Sequence, residues 1–113
     1  MEWKLDNGRP IWPQLSQQLA RRILSGEYPP GSRLPPVREL AAEAGVNPNT
    51  MQRALAQLEQ DGLARADRTA GRQVTQDAGA LEAVRSREAQ AVIRQYFEAR
   101  SALGYSRERA AEL

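Results

Sequence analysis

The chain has 113 residues, 41% of them apolar, with a net charge of +2, enough for one domain and an appendage with little room for a separate ligand-binding domain. It holds no Cys and no His, which excludes disulfides, thiolate nucleophiles, zinc sites of the usual ligand types and imidazole acid–base chemistry. The 14 acidic residues are scattered without a phosphate loop, metal spacing or nucleophile motif, so neither an enzyme nor a cofactor or metal is expected. No run reaches membrane-spanning length and no charged n-region leads into an apolar h-region, so a soluble, cytoplasmic protein is expected. Among its 16 basic residues only Lys4 is lysine. Arginine's planar fork suits phosphate and guanine edges, although genome composition explains the same bias equally well, so placement must decide.

Residues 1–10 read as an extended arm, with Trp3 and Leu5 alternating with charged neighbours before the Asn7-Gly8 turn signal. After Pro13, Leu15, Leu19 and Ile23 recur every four residues beside Ala20 and Leu24, the apolar stripe of a first helix that Ser25-Gly26 stops. Tyr28-Pro29-Pro30-Gly31 reads as a rigid loop, because two prolines lack donors. Behind Pro35-Pro36, Val37, Leu40, Ala41 and Ala44 fall at i, i+3, i+4 and i+7 of a short helix. Gly45 then takes the position after the helix end, Val46 returns to the core, and Asn47 caps the next helix with Pro48 at its first position. Met51, Ala54, Leu55 and Leu58 repeat the stripe until Gly62.

From Leu63 the period changes. Residues 63–66 and 73–75 read as short strands joined by a polar loop, Asp67 to Arg72, which together form a wing. Ala78 to about Leu103 reads as one long helix carrying Leu81, Val84, Val92, Ile93, Tyr96 and Leu103, and Ser106 opens a last helix to Leu113. The expected fold is therefore mainly α with a small β-hairpin: a winged helix-turn-helix over residues 1–77, followed by a two-helix dimerisation region over 78–113.

Two short helices sharing one core across a three-residue turn, roughly Pro36 to Asp61, have helix-turn-helix spacing, in which the second helix enters a major groove. With Met51, Ala54, Leu55 and Leu58 inward, Asn49, Gln52 and Arg53 point outward. Asn or Gln can bond adenine N6 and N7, Arg can bond guanine O6 and N7 or a phosphate, and a Thr50 methyl can touch thymine. The helix N-terminus adds attraction for phosphate. Double-stranded DNA is thus the expected partner. A winged helix serving only protein contacts stays open beside it, with weak, salt-insensitive DNA binding as its signature.

The runs Arg33-Leu34-Pro35-Pro36-Val37-Arg38-Glu39-Leu40-Ala41, Gly45-Val46-Asn47-Pro48-Asn49-Thr50-Met51-Gln52-Arg53-Ala54 and Leu58-Glu59-Gln60-Asp61-Gly62-Leu63 resemble GntR-type transcription regulators over about residues 10 to 75. The resemblance implies that Arg38 contacts the phosphate backbone, that Asn47, Asn49, Thr50, Gln52 and Arg53 contact bases and phosphates, and that Gly71 at the wing tip approaches the minor groove. It also implies a repressor. The short tail resembles the YtrA-like subfamily, whose C-terminal helices dimerise. The wing departs from the family pattern, with one glycine and no Phe. Arg68 and Arg72 either reach phosphates or a narrow minor groove or simply keep the hairpin soluble.

A long helix beside so small a winged domain needs a partner to cover its apolar face, so a homodimer is expected, with an intramolecular pair to the last helix as the other solution. A twofold dimer reads a pseudopalindromic operator with half-sites about 34 Å apart or a multiple of that. Trp3, Trp12, Tyr28, Tyr96, Phe97 and Tyr105 either line a small-molecule effector pocket or belong to the core, and no ligand residues are assigned.

Overall fold

A computed structural model describes residues 2–69 and 71–104; the expected last helix from Ser106, and Tyr105 before it, lie outside the described residues. In chain order the elements are α1 (Ile11–Leu24), α2 (Val37–Ala44), α3 (Pro48–Gln60), β1 (Ala64–Asp67), β2 (Gly71–Val74) and α4 (Ala78–Ala102). The fold is mainly helical with one two-stranded antiparallel hairpin, the expected winged helix-turn-helix followed by a C-terminal helix. Two compact units divide within α4, the first running to Leu81 and the second starting at Glu82.

The first unit is held by the stripes read from sequence. Leu15, Leu19 and Ile23 of α1, Leu40 and Ala41 of α2, and Met51, Ala54, Leu55 and Leu58 of α3 are all buried. Both α1 and α2 pack on α3, and each large side chain so buried contributes about 1.5–3 kcal/mol of transfer free energy. α1 begins at Ile11, ahead of Pro13, because a first-turn residue has no intrahelical acceptor and proline's missing donor costs nothing there.

The turn between α2 and α3 is fixed by three local devices. Gly45 stands at φ 71°, a left-handed conformation that costs other residues about 1–2 kcal/mol. Val46 N donates back to Ala41 O at 3.0 Å, closing the end of α2. The Asn47 side chain then accepts from Asn49 N at 2.8 Å, capping α3 with Pro48 in its first turn.

The hairpin is tighter than the sequence suggests. Its register runs from Ala64↔Val74 to Asp67↔Gly71, so the strands extend into the segment read as loop. The reason is local: Asp67 Oδ1 accepts from both the amide (2.8 Å) and the hydroxyl (2.9 Å) of Thr69, an Asx-type turn, and Gly71 turns the chain at φ 72°. The segment Ser32–Leu34 adds an edge that sequence reading missed. Val74 N donates to Ser32 O at 2.8 Å, Leu34 N donates to Arg72 O at 2.9 Å, and Arg33 bridges Gln73. That pairing delivers Leu34 to the core, where it is buried with Leu63 and Val74.

The arm is extended and clamped onto α1 by two glutamines. Gln18 accepts from Lys4 N (2.9 Å) and donates to Lys4 O (2.7 Å), while Gln14 accepts from Asp6 N (2.7 Å) and donates to Asp6 O (2.9 Å). One helical turn, about 5.4–6 Å, nearly matches two residues of extended chain, so a Gln pair at i and i+4 serves backbone groups at i and i+2.

Beyond the clamps, the arm reaches a buried charge. Arg22 lies on the apolar face of α1 with a side chain 1% exposed. Its guanidinium is 4.0 Å from the centre of the Trp3 ring, donates to Tyr28 Oη (3.2 Å) and Glu43 Oε1 (3.0 Å), and sits 3.8 Å from Glu27 Oε2. Trp3 Nε1 donates to the same Glu43 oxygen at 3.1 Å. Burial alone pulls the Arg22 guanidinium down, but the hydrogen bonds to Tyr28 and Glu43 and the neighbouring charges outweigh it and leave the group above its ordinary value. The Arg22 hydrogen bond holds Glu43 below its usual value of 4.5. A depressed carboxylate pKa stabilises the fold above the unfolded value and loses that effect as pH falls through the folded one. Because Glu43 is about half exposed, Glu43→Gln is expected to cost only about 1 kcal/mol at pH 7. The gap to wild type should close in urea titrations below the carboxylate range; a gap unchanged at low pH contradicts the ion pair.

Candidate nucleic-acid interface

The helix-turn-helix presents one polar face. With the apolar stripe of α3 buried, Asn49, Gln52 and Arg53 are exposed and Thr50 is half-buried. Asn47 is exposed too, but its side-chain oxygen is used by the cap. The first-turn donors of α3 are all committed: Pro48 has none, Asn49 N meets the cap, and Thr50 N and Met51 N both reach Asn47 O (3.0 and 3.2 Å). The phosphate attraction expected of this helix start is therefore left to side chains. α2 is the opposite case. No side chain caps it, Pro36 precedes it, and Arg38 is exposed at its second position, so its first amides remain open to an outside acceptor.

Arg53 does not hang free. Its guanidinium lies 4.4 Å from the centre of the Trp12 ring on α1, a cation–π contact of about 0.5–1 kcal/mol at an exposed site. The stack covers one face of the guanidinium and leaves its planar fork of donors at the rim.

In the wing, Arg68 is exposed in the loop and Gly71 opens β2. Arg72 is half-buried and its Nε is bonded to Glu59 Oε1 of α3, a pairing 13 residues apart in sequence that no local pattern signals. Sequence reading also missed Arg33, whose guanidinium lies against Gly71: a methyl placed on that glycine would stand 3.1 Å from Arg33 Nε.

Among the described residues, the aromatics weighed for an effector pocket have contacts of their own. Trp3 and Tyr28 engage Arg22, Trp12 stacks on Arg53, and Tyr96 meets Phe97 edge-on at 5.6 Å. An open groove of about 530 Å³ between the arm and the α2–α3 turn is lined by Leu5, Ile11, Val46, Asn47 and Thr50, with Trp3 its only aromatic. Of the residues expected to dimerise, Leu81 is half-buried and Val84 buried, while Val92, Ile93, Tyr96 and Leu103 are exposed.

Known proteins agree with this geometry. The model of bacterial regulatory proteins of the gntR family matches residues 13–74, the segment that contains both helices of the turn and the hairpin. The HTH-type transcriptional regulator YhcF of Bacillus subtilis is 29% identical over 108 residues, covering 96% of this chain and 89% of that protein. The HTH-type transcriptional repressor YtrA of the same organism is 39% identical over 69 residues, covering 61% of this chain and 53% of that one. A GntR family transcriptional regulator from Listeria monocytogenes superposes with a TM-score of 0.82 at 33% identity, over 92% of this chain and 91% of its own. With its core stripes, its Gly45–Asn47 turn and its hairpin all inside the matched segment, the chain belongs to the GntR family of DNA-binding helix-turn-helix transcription regulators, and its relatives there include YtrA-like members.

Proposed function

We propose that this regulator is a repressor that binds a pseudopalindromic operator as a homodimer. One observation carries the reading: α3 turns Asn49, Gln52 and Arg53, side chains whose donors and acceptors suit base edges, away from a fully buried stripe. Gln52 reads an adenine edge and Arg53 a guanine edge or phosphate, with Asn47, Asn49 and Thr50 beside them. Arg38, with the uncapped start of α2, holds a phosphate and fixes the register. Arg68 approaches the backbone from the wing, while the charge of Arg72 is offset by Glu59 and its side chain stiffens the wing's seat on α3.

Support for the dimer lies in α4. Ala89, Val92, Tyr96, Ala99 and Leu103 are spaced by 3, 4, 3 and 4 residues and all are exposed, the spacing of a two-stranded seam in which small alanines allow close approach. The seam spans little more than two heptads, short for a coiled coil standing alone. The name repressor belongs to the relative YtrA; occupying a promoter site with such a dimer supports the same role here.

Three outcomes are expected. Selection of bound duplexes from random sequence should return two inverted half-sites about one helical turn, or a multiple, apart; an unstructured pool with no enriched site favours a protein-contact module. Gln52→Ala should relax preference at one base pair by about 1–3 kcal/mol, and equal losses on selected and random DNA would contradict base reading. In sedimentation, Val92→Glu combined with Leu103→Glu should give monomers whose operator affinity drops sharply; a wild-type chain that sediments as a monomer and still binds one half-site tightly sinks the dimer.

A further inference from the structure

We propose that Arg33, rather than Arg72, is the cation through which the wing holds DNA phosphate, its guanidinium laid across the left-handed Gly71. The proposal rests on the DNA-binding reading of the helix-turn-helix and adds a residue to it. Three observations carry it. Arg72 is half-buried with its Nε on Glu59. A cation already paired with a carboxylate adds little net charge for a phosphate to meet and displaces little of the counterion atmosphere when DNA binds.

Arg33 is the converse case. It is exposed, and no hydrogen bond or ion pair engages it among the described residues. Its backbone is fixed on the edge of the wing by the bridge to Gln73 and the flanking bonds of Ser32 and Leu34 to β2. Same-face neighbours on paired strands are the opposed residue and the one two positions along, so from Gln73 the Arg33 side chain leans toward Gly71 and the turn. The guanidinium lies so close that a Cβ on Gly71 would meet Nε at 3.1 Å and Nη2 at 3.4 Å. Arg65 stands across Gln73 on β1, but it is Arg33 that reaches the tip side. A long side chain laid across a glycine keeps its charge at the wing with fewer rotamers to lose on binding.

The test is the salt dependence of binding to a fluorescent random-sequence duplex, which reports phosphate contacts without base reading, using the full chain. Arg33→Ala should weaken binding and lower the slope of log K against log salt by about 0.9, one phosphate's worth. Arg33→Lys should keep the slope, showing that charge rather than packing is read. Removing the pair together, Arg72→Ala with Glu59→Gln, should leave the slope where it was, and Glu59→Gln alone should steepen it by releasing Arg72. Thermal unfolding of Arg33→Ala should match wild type, as expected of an exposed side chain. The proposal is overturned if Arg33→Ala keeps the wild-type slope, or if the double variant Arg72→Ala/Glu59→Gln loses as much slope as Arg33→Ala. Wild-type binding that is itself indifferent to salt would instead remove the DNA reading on which the proposal stands.

Discussion

A buried arginine has to be surrounded, and the way Arg22 is surrounded sets the layout of the first unit. Removing a guanidinium from water costs several kcal/mol unless charge and hydrogen-bond partners replace the solvent. α1 alone cannot supply them. The partners come from the arm (Trp3), the loop after α1 (Glu27 and Tyr28) and α2 (Glu43). The loop is drawn in by the same residue, since Glu27 N donates to Arg22 O at 3.0 Å. Four segments are thereby held to one point, and α2 sits where Glu43 reaches it. A well-packed apolar residue at position 22 would be no less stable in principle. The pair's contribution is register, because it is satisfied only when arm, loop and α2 all arrive together.

That register matters because the two helices of the turn present their N-termini differently. The start of α3 is closed by Asn47 and Pro48, so in the proposed complex it would meet DNA with side chains alone, a suitable arrangement for reading bases, where donors and acceptors must differ from one base edge to the next. α2 begins without a cap and with Arg38 exposed, an arrangement suited to phosphate, which carries no sequence information. Other cations are held in advance by the protein itself, Arg53 by the Trp12 ring and Arg72 by Glu59. Holding a long side chain before binding reduces the ordering that binding would otherwise require, but an aromatic face leaves a charge available whereas a carboxylate consumes it.

How much of this was legible in the sequence follows the range of the interactions. The stripes at Leu15, Leu40 and Met51, the left-handed Gly45 and the Asn47-Pro48 cap are set within a few residues, and each stands where periodicity and cap chemistry placed it. The family's motifs fall on the same local features, which is why the resemblance and the residue-by-residue reading agreed. Pairings across long separations were invisible. Ser32–Leu34 carries no strand pattern, since Pro30, Gly31 and Pro35 bracket it, and it joins β2 only because residues some forty positions later offer an edge. The hairpin limits were misjudged because Asp67 bonds Thr69 and tightens the turn, a choice that alternation does not record. Arg22 left one trace: it falls seven residues after Leu15, on the apolar stripe, where a charged side chain is out of place unless partners come from elsewhere.

The same contrast separates the two units. The first is specified by cooperation among many short-range signals that agree. In α4 the signals are thinner: beyond Val84, the side chains of Val92, Ile93, Tyr96 and Leu103 are exposed, and alanines occupy two of the five seam positions. Among the described residues of the second unit α4 is the sole element, and under the proposed function a second copy's helix covers its apolar residues. For the proposed dimer, a weakly specified pairing helix would have a physical use. If the seam contributes little on its own, binding two half-sites raises the effective concentration of one copy near the other, and the operator then completes a pairing that free chains form poorly. Occupancy of a full site would in that case rise more steeply with protein concentration than occupancy of a half-site, with the recognition helices unchanged.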